Sequence, residues 1–146
     1  MSTHRSVNGK DIPAPMGPYS PATVFERLVF VSGQGARDPE TGVLAGTDVE
    51  TQTEQCLKNV EAILITAGSS LQHVQRCGVL LNDISEFSKM NEVYALTFGD
   101  HHPSPTTMHA ARLPVPRLPL QSDSIAYPAD AHPVLCYVWH SPRLRH

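Results

Sequence analysis

Residues 47–81 read TDVETQTEQCLKNVEAILITAGSSLQHVQRCGVLL, a helical pattern followed by a strand pattern. The capping box formed by Thr47 and Glu50 predicts a helix over residues 48–67, with Gly68 as its stop. The apolar residues of this helix recur at helical spacing and form one stripe: Val49, Cys56, Leu57, Val60, Ile63, Leu64 and Ala67. Residues 74–81 end in a continuous apolar run that suits a buried strand, so the segment predicts a helix lying across a sheet.

Further strand and helix patterns flank this segment. Residues 22–25 and 28–32 are β-rich runs on either side of a two-residue tip. Asp83, with Glu86 three residues later, predicts the start of a second helix that ends at Gly99. The inner stripe of that helix consists of Phe87, Met90, Val93, Tyr94 and Phe98. Two more strands are predicted over residues 106–112 and 124–127.

The resulting order, β-β-α-β-α-β-β, is typical of an α+β fold with one mixed sheet and two helices on one face. The other face of such a sheet cannot stay exposed if it is apolar, so we expect an oligomer. One domain is predicted over residues 1–127, followed by an extra C-terminal tail over residues 128–146. Residues 134–139 of that tail are β-branched and aromatic enough for an added strand.

The composition narrows the class of protein. A chain of 146 residues with 40% hydrophobic residues suits one globular domain. A net charge of −3 argues against a nucleic-acid binder, because neutralising phosphates requires a surplus of Lys and Arg. No apolar run has the length of a membrane span, and the first residues lead into no signal-peptide core. We therefore expect a cytoplasmic protein without a membrane partner.

The metal-binding residue types do not form a recognisable metal site. Cys56, Cys77 and Cys136 are an odd number of widely spaced cysteines, which indicates buried or half-buried free thiols. Eight histidines are present, but none follows a zinc-ligand spacing. The sequence predicts no metal.

Seven motifs occur in order between residues 15 and 114, and together they resemble the YjgF/RidA family of reactive-intermediate deaminases, also called L-PSP proteins. The motifs are Met16-Gly17-Pro18-Tyr19-Ser20, residues 28–34, Asp38-Pro39-Glu40-Thr41-Gly42, Gln52-Thr53 with Asn59-Val60, residues 67–71, Phe87 with residues 90–94, and residues 111–114. The resemblance implies a chorismate-mutase-like fold and a homotrimer with ligand clefts between subunits. It also implies cofactor-free hydrolysis of small enamines and imines to a carbonyl compound and ammonia.

The resemblance assigns candidate site residues one position at a time. Those for substrate binding are Tyr19, Ser32, Gly33, Asn91 and Thr107, and the water-positioning glutamate of the family falls on Gln121. The arginine that holds the substrate carboxylate in the family falls on Pro105, which can neither pair with an anion nor donate a backbone N–H. Gln121 can orient a water but cannot take its proton.

Two other side chains are candidates to replace the missing arginine. His109 shares the strand face of Thr107, although a histidine partnered at a subunit interface is the favoured interpretation. Arg37 is a candidate at the rim of the cleft, although a solvated turn residue is favoured there.

Three functions remain open. The first is a RidA-like deaminase with an altered substrate. The second is a trimeric small-molecule-binding or regulatory protein without deaminase activity. The third, disfavoured by the charge, is an endoribonuclease.

Overall fold

The computed structural model describes residues 4–115 and 117–129, which form one six-stranded sheet and two α-helices. In chain order the elements are β1 (His4–Val7), β2 (Ala22–Phe25), β3 (Leu28–Gln34), α1 (Val49–Thr66), β4 (Val74–Leu81), α2 (Phe87–Phe98), β5 (Ser104–His109) and β6 (Leu120–Ala126). The strand order across the sheet is β1-β2-β3-β6-β4-β5. Only β4 and β5 run parallel; the other neighbours are antiparallel, so the sheet is mixed as predicted.

Strands β2 and β4 have the predicted bounds, and the other strands differ from the prediction. Strand β1 was not predicted, because of its four residues only Val7 is apolar and buried; pairing with β2 defines it. Strand β5 ends at His109 rather than at residue 112, because its partner β4 ends at Leu81, opposite His109. Strand β6 begins at Leu120, four residues earlier than expected. Its early part was missed because buried serines conceal the alternation of buried and half-buried side chains.

The first helix begins one residue later than the capping box indicated. Asp48, not Thr47, is the N-cap, and its carboxylate accepts a hydrogen bond from the Thr51 N–H at 2.7 Å. That hydrogen bond lowers the pKa of Asp48. The predicted stripe of α1 is buried throughout and packs on the sheet, where it contacts β3 and β6.

The second helix has a different start and a narrower inner face than predicted. Asp83 caps a short 3₁₀ turn over Ile84–Glu86, and the α-helix follows at Phe87. Phe87 is 41% exposed, so its place in the inner stripe was wrong. It is the first residue of α2, whereas the buried residues Met90, Tyr94 and Phe98 come from its later turns.

Tyr94 links α2 to the sheet through a buried hydrogen bond. Its hydroxyl lies 2.6 Å from the Ser122 hydroxyl of β6, and both residues are buried. Changing Tyr94→Phe keeps the ring but removes this bond, which should lower the free energy of unfolding by about 1–2 kcal/mol. Urea denaturation followed by circular dichroism measures this loss, and an unchanged midpoint would show that the hydrogen bond contributes nothing to stability.

The predictions about the cysteines and about membrane-spanning helices concern other features of the chain. Cys56 and Cys77 are free, buried thiols, as expected, whereas Cys136 and the possible strand over residues 134–139 lie outside the described residues. No helix in the described part of the chain is long and apolar enough to cross a membrane.

Candidate ligand cleft

A solvent-open cleft lies beside the end of β3. The side chains and backbone around it come from four parts of the chain: the segment before β2, the end of β3 and its following turn, the loop before β6, and β6 itself. They are Pro13, Ala14, Pro15, Met16, Tyr19, Pro21, Gly33, Gln34, Gly35, Arg37, Leu44, Pro114, Val115, Leu118 and Gln121. Most of the wall is apolar, with a few polar groups, which is the usual make-up of a small-molecule site.

Tyr19 forms part of the cleft wall and is 53% exposed, which excludes a role in the core. Its ring lies over Gly17, where an added Cβ would come within 2.8 Å of the ring. Its hydroxyl accepts a hydrogen bond from the Met16 N–H at 3.3 Å. The Gly17-Pro18-Tyr19 segment therefore presents an amphipathic ring to the cleft.

Gly33 and Gln121 face each other across two neighbouring strands. The Gln121 amide occupies the space that a side chain at position 33 would fill, and a Cβ there would lie 2.8 Å from Gln121 Cδ. Gly33 has no positive φ, so close approach of the Gln121 amide, rather than backbone conformation, requires glycine here. The amide of Gln121 is thus placed directly in the cleft.

Ser32 lies next to this pair, but its hydroxyl faces its own chain. Ser32 Oγ donates to the carbonyl oxygen of Ser20 at 2.7 Å, which ties β3 to the segment before β2. The register between β3 and β6 shifts between Val31 and Gln34, which is the irregularity of a β-bulge. Such a bulge redirects side chains at the end of a strand, here beside the cleft.

Polar side chains of α1 hold the backbone that follows β3. Asn59 Nδ2 donates to the carbonyl oxygens of Gly35 and Arg37, at 3.0 and 2.8 Å. Cys56 Sγ lies 3.0 Å from the Gln34 carbonyl oxygen and donates to it. These positioning roles were not predicted from the sequence. The signal was the polar Asn59, three residues after Cys56 on the face that carries the apolar stripe.

Arg37 lines the cleft and is half-buried. Its Nη1 donates to the carbonyl oxygen of Gly42 in the turn that follows. Its backbone forms a β-bridge with Leu44, which lines the cleft beside it. Among the described residues of the cleft wall, Arg37 carries the one formal charge.

The remaining candidates lie away from this cleft. Pro105, Thr107 and His109 lie on β5 in register with Cys77, Val79 and Leu81 of β4, on the sheet face opposite to that of Gln121. His109 is exposed, and its Nε2 lies 3.1 Å from the Asn82 carbonyl oxygen. Asn91 is exposed on α2. Within one chain, the predicted site is therefore split: Tyr19, Gly33 and Gln121 meet, whereas Asn91, Thr107 and His109 do not join them.

The two described cysteines are unsuited to nucleophilic chemistry. Burial raises the pKa of Cys56 to about 12 and that of Cys77 to about 12, so both thiols stay protonated at neutral pH. Thiolate is the reactive form of cysteine. The chemistry that the cleft can support therefore rests on a phenol, an amide, a guanidinium and backbone groups.

Fold and cleft together define a class: an α+β protein with a largely apolar small-molecule cleft at the end of a mixed sheet. The family model described as "Endoribonuclease L-PSP" matches residues 9–127. The chain belongs to this family, the YjgF/RidA family, and has its chorismate-mutase-like fold.

Named relatives agree with this assignment. A RutC family protein of Pyrococcus abyssi is 42% identical over 115 residues, which cover 79% of this chain and 90% of that protein. The human 2-iminobutanoate/2-iminopropanoate deaminase is 36% identical over 110 residues, covering 75% and 80%. The crystal structure of Escherichia coli TdcF with bound serine superposes with a TM-score of 0.79 at 32% identity, covering 84% of this chain and 98% of that one.

Proposed function

We propose that the protein is a RidA-type enamine or imine deaminase, which hydrolyses a small reactive imine to a carbonyl compound and ammonia. The observation that carries the proposal is the meeting of Tyr19, Gly33 and Gln121 in one cleft. A relative with 36% identity bears the name of a 2-iminobutanoate/2-iminopropanoate deaminase. A related structure holds serine, a molecule of the size that such a substrate has.

The chemistry of the proposal needs only water and positioned polar groups. The oxygen of the water bonds to the imine carbon, the C=N π electrons move to nitrogen, and nitrogen takes up a proton. Nitrogen then takes up a second proton, the C–N bond breaks and ammonia leaves, while the former water oxygen loses its remaining proton and becomes the carbonyl oxygen. The Gln121 amide oxygen orients the attacking water, but the proton of that water passes to the substrate nitrogen or to solvent, because an amide is not a base.

Two departures from the family pattern, at Pro105 and Gln121, are the reason to expect an altered substrate. Pro105 provides no cation for a carboxylate, and Gln121 provides no base. Both departures also favour the second candidate, a small-molecule-binding or regulatory protein that has lost deamination. The third candidate, an endoribonuclease, lacks the surplus of basic residues that a phosphate backbone requires, since the net charge is −3.

A homotrimer would complete the site. The sheet face opposite the helices exposes Leu28, Phe30 and Met108 by 38–53% of their surfaces, which suits a subunit interface. In the proposed assembly, the β5 edge and α2 of a neighbouring subunit, which carry Thr107, His109 and Asn91, approach the cleft of the first. Sedimentation equilibrium measures the assembly, and a monomer at micromolar concentration would contradict this part of the proposal.

The deaminase is tested with 2-iminobutanoate generated in situ. The protein should release 2-oxobutanoate about tenfold faster than buffer or more, which is within the contribution of positioned proton-transfer groups. The matched control is Gly33→Val, whose side chain must displace the Gln121 amide and should return the rate to that of buffer. A wild-type rate equal to buffer would exclude this substrate and leave the binding protein as the better candidate.

A further inference from the structure

We propose that Arg37 is the anion-binding group of the cleft and holds the acidic end of a small ligand. The inference rests on the proposed function in that it names a binding residue of the same site. Arg37 would supply, from a different part of the chain, the positive charge that the family arginine carries at the position of Pro105.

The guanidinium and the backbone of Arg37 each have defined partners. Nη1 donates to the Gly42 carbonyl oxygen, and the backbone carbonyl of Arg37 accepts a hydrogen bond from Asn59 Nδ2. The bridge between Arg37 and Leu44 places both residues at the cleft wall. A guanidinium has five N–H donors in a fixed plane, and the bond to Gly42 leaves most of them for a ligand. Arg37 therefore keeps N–H donors for an anion at the cleft wall.

The charge of Arg37 is not neutralised within the described part of the chain. The ion pairs there join Lys58 to Glu54, Arg76 to Asp123, and Lys89 to Glu86. The adjacent carboxylate, Asp38, points into the turn and accepts hydrogen bonds from the Glu40 and Thr41 N–H groups at 2.8 Å. A half-buried cation without a counter-ion attracts an anion more strongly than one in open solvent does.

The rest of the wall defines the other part of the ligand. Leu44, Val115 and Leu118, together with several prolines, offer apolar surface for an alkyl chain. Gln121 is neutral, so no charged carboxylate at that position repels an incoming anion. A ligand with a carboxylate on Arg37 and an alkyl chain on this wall fits both features. A neutral ligand would leave the guanidinium unpaired.

The alternative is that Arg37 only clasps the turn over residues 38–42 through its bond to Gly42. The two roles differ in measurable ways. A clasp contributes to stability and is indifferent to the charge of a ligand. An anion site discriminates a carboxylate from its uncharged ester, and the discrimination weakens as salt is added.

The experiment measures binding rather than turnover. Binding of 2-oxobutanoate and of its uncharged methyl ester is followed by NMR titration of the wild type, Arg37→Gln and Arg5→Gln. Arg5 is exposed on β1, outside the cleft wall, and serves as the matched control. Arg37→Gln should weaken 2-oxobutanoate binding about 10- to 100-fold, as expected for a lost hydrogen bond to a charged group. The ester affinity and the Arg5→Gln variant should stay within twofold of the wild type.

Arg37→Lys is the control for a loss of binding that arises because Arg37→Gln fails to fold. It keeps the charge and should retain part of the carboxylate preference. Equal 2-oxobutanoate affinity in wild type and Arg37→Gln, or no wild-type binding at millimolar concentration, would overturn the proposal. Arg37-dependent binding without imine hydrolysis would overturn the proposed deaminase and leave this site standing. Imine hydrolysis that is unaffected by Arg37→Gln would overturn the anion site and leave the proposed deaminase standing.

Discussion

Changing Gln121→Glu should raise the rate of imine hydrolysis about 100-fold or more in kcat. The change keeps the shape of the side chain that lies against Gly33 but replaces an amide by a carboxylate that can take the proton of the attacking water. A positioned general base contributes roughly 10²- to 10⁴-fold. The rate should increase with pH as this carboxylate ionises and level off above its pKa. Steady-state kinetics with in situ 2-iminobutanoate across pH measures both effects.

The control for Gln121→Glu is Gln75→Glu, the same charge change at an exposed position of β4 outside the cleft wall. It should leave kcat unchanged. Adding Pro105→Arg to Gln121→Glu should raise the activity again, through KM, if a neighbouring subunit brings that strand to the cleft. A Gln121→Glu variant no faster than the wild type would mean that Gln121 does not hold the reactive water.

The sequence predicted the architecture well because hydrophobic periodicity reflects burial. The stripe of α1 and the apolar end of β4 are set by the core, and both are as predicted. Strand β1 and the full length of β6 were missed, because their pairing partners, rather than their own apolar content, define them. Phe87 shows the converse error, since an apolar residue at helical spacing need not be buried at the start of a helix.

The candidate site was only partly predictable. Gly33 and Gln121 meet because β3 and β6 are neighbours in the sheet, a strand order that was not predicted. The family resemblance had assigned both residues, with Tyr19, to one site. Arg37 lines the cleft and forms a bridge with Leu44, a contact that local sequence, which marks Arg37 as a turn residue, cannot show. Contacts between distant residues decide whether a polar side chain is solvated or part of a site.

Changing Asn59→Ala should lower the free energy of unfolding by about 2–5 kcal/mol. Asn59 is 2% exposed, and its Nδ2 is the donor for two carbonyl oxygens, those of Gly35 and Arg37. Removing a buried donor leaves each carbonyl with a penalty of about 1–3 kcal/mol. Because small domains have only about 5–15 kcal/mol of total stability, the loss should be obvious in urea denaturation.

Two further variants separate hydrogen bonding from packing at position 59. Gln55→Ala, one turn earlier on the same helix, removes only a hydrogen bond to Asn59 Oδ1 at 3.0 Å and should cost less than about 1 kcal/mol. Asn59→Asp keeps the shape but presents acceptors to two carbonyl oxygens, so it should destabilise the fold at neutral pH. Acidification should restore part of that loss, because a protonated carboxyl can donate again. If Asn59→Asp is as stable as the wild type at neutral pH, the backbone of Gly35 and Arg37 does not depend on Asn59, and α1 is not what orients Arg37 toward the cleft.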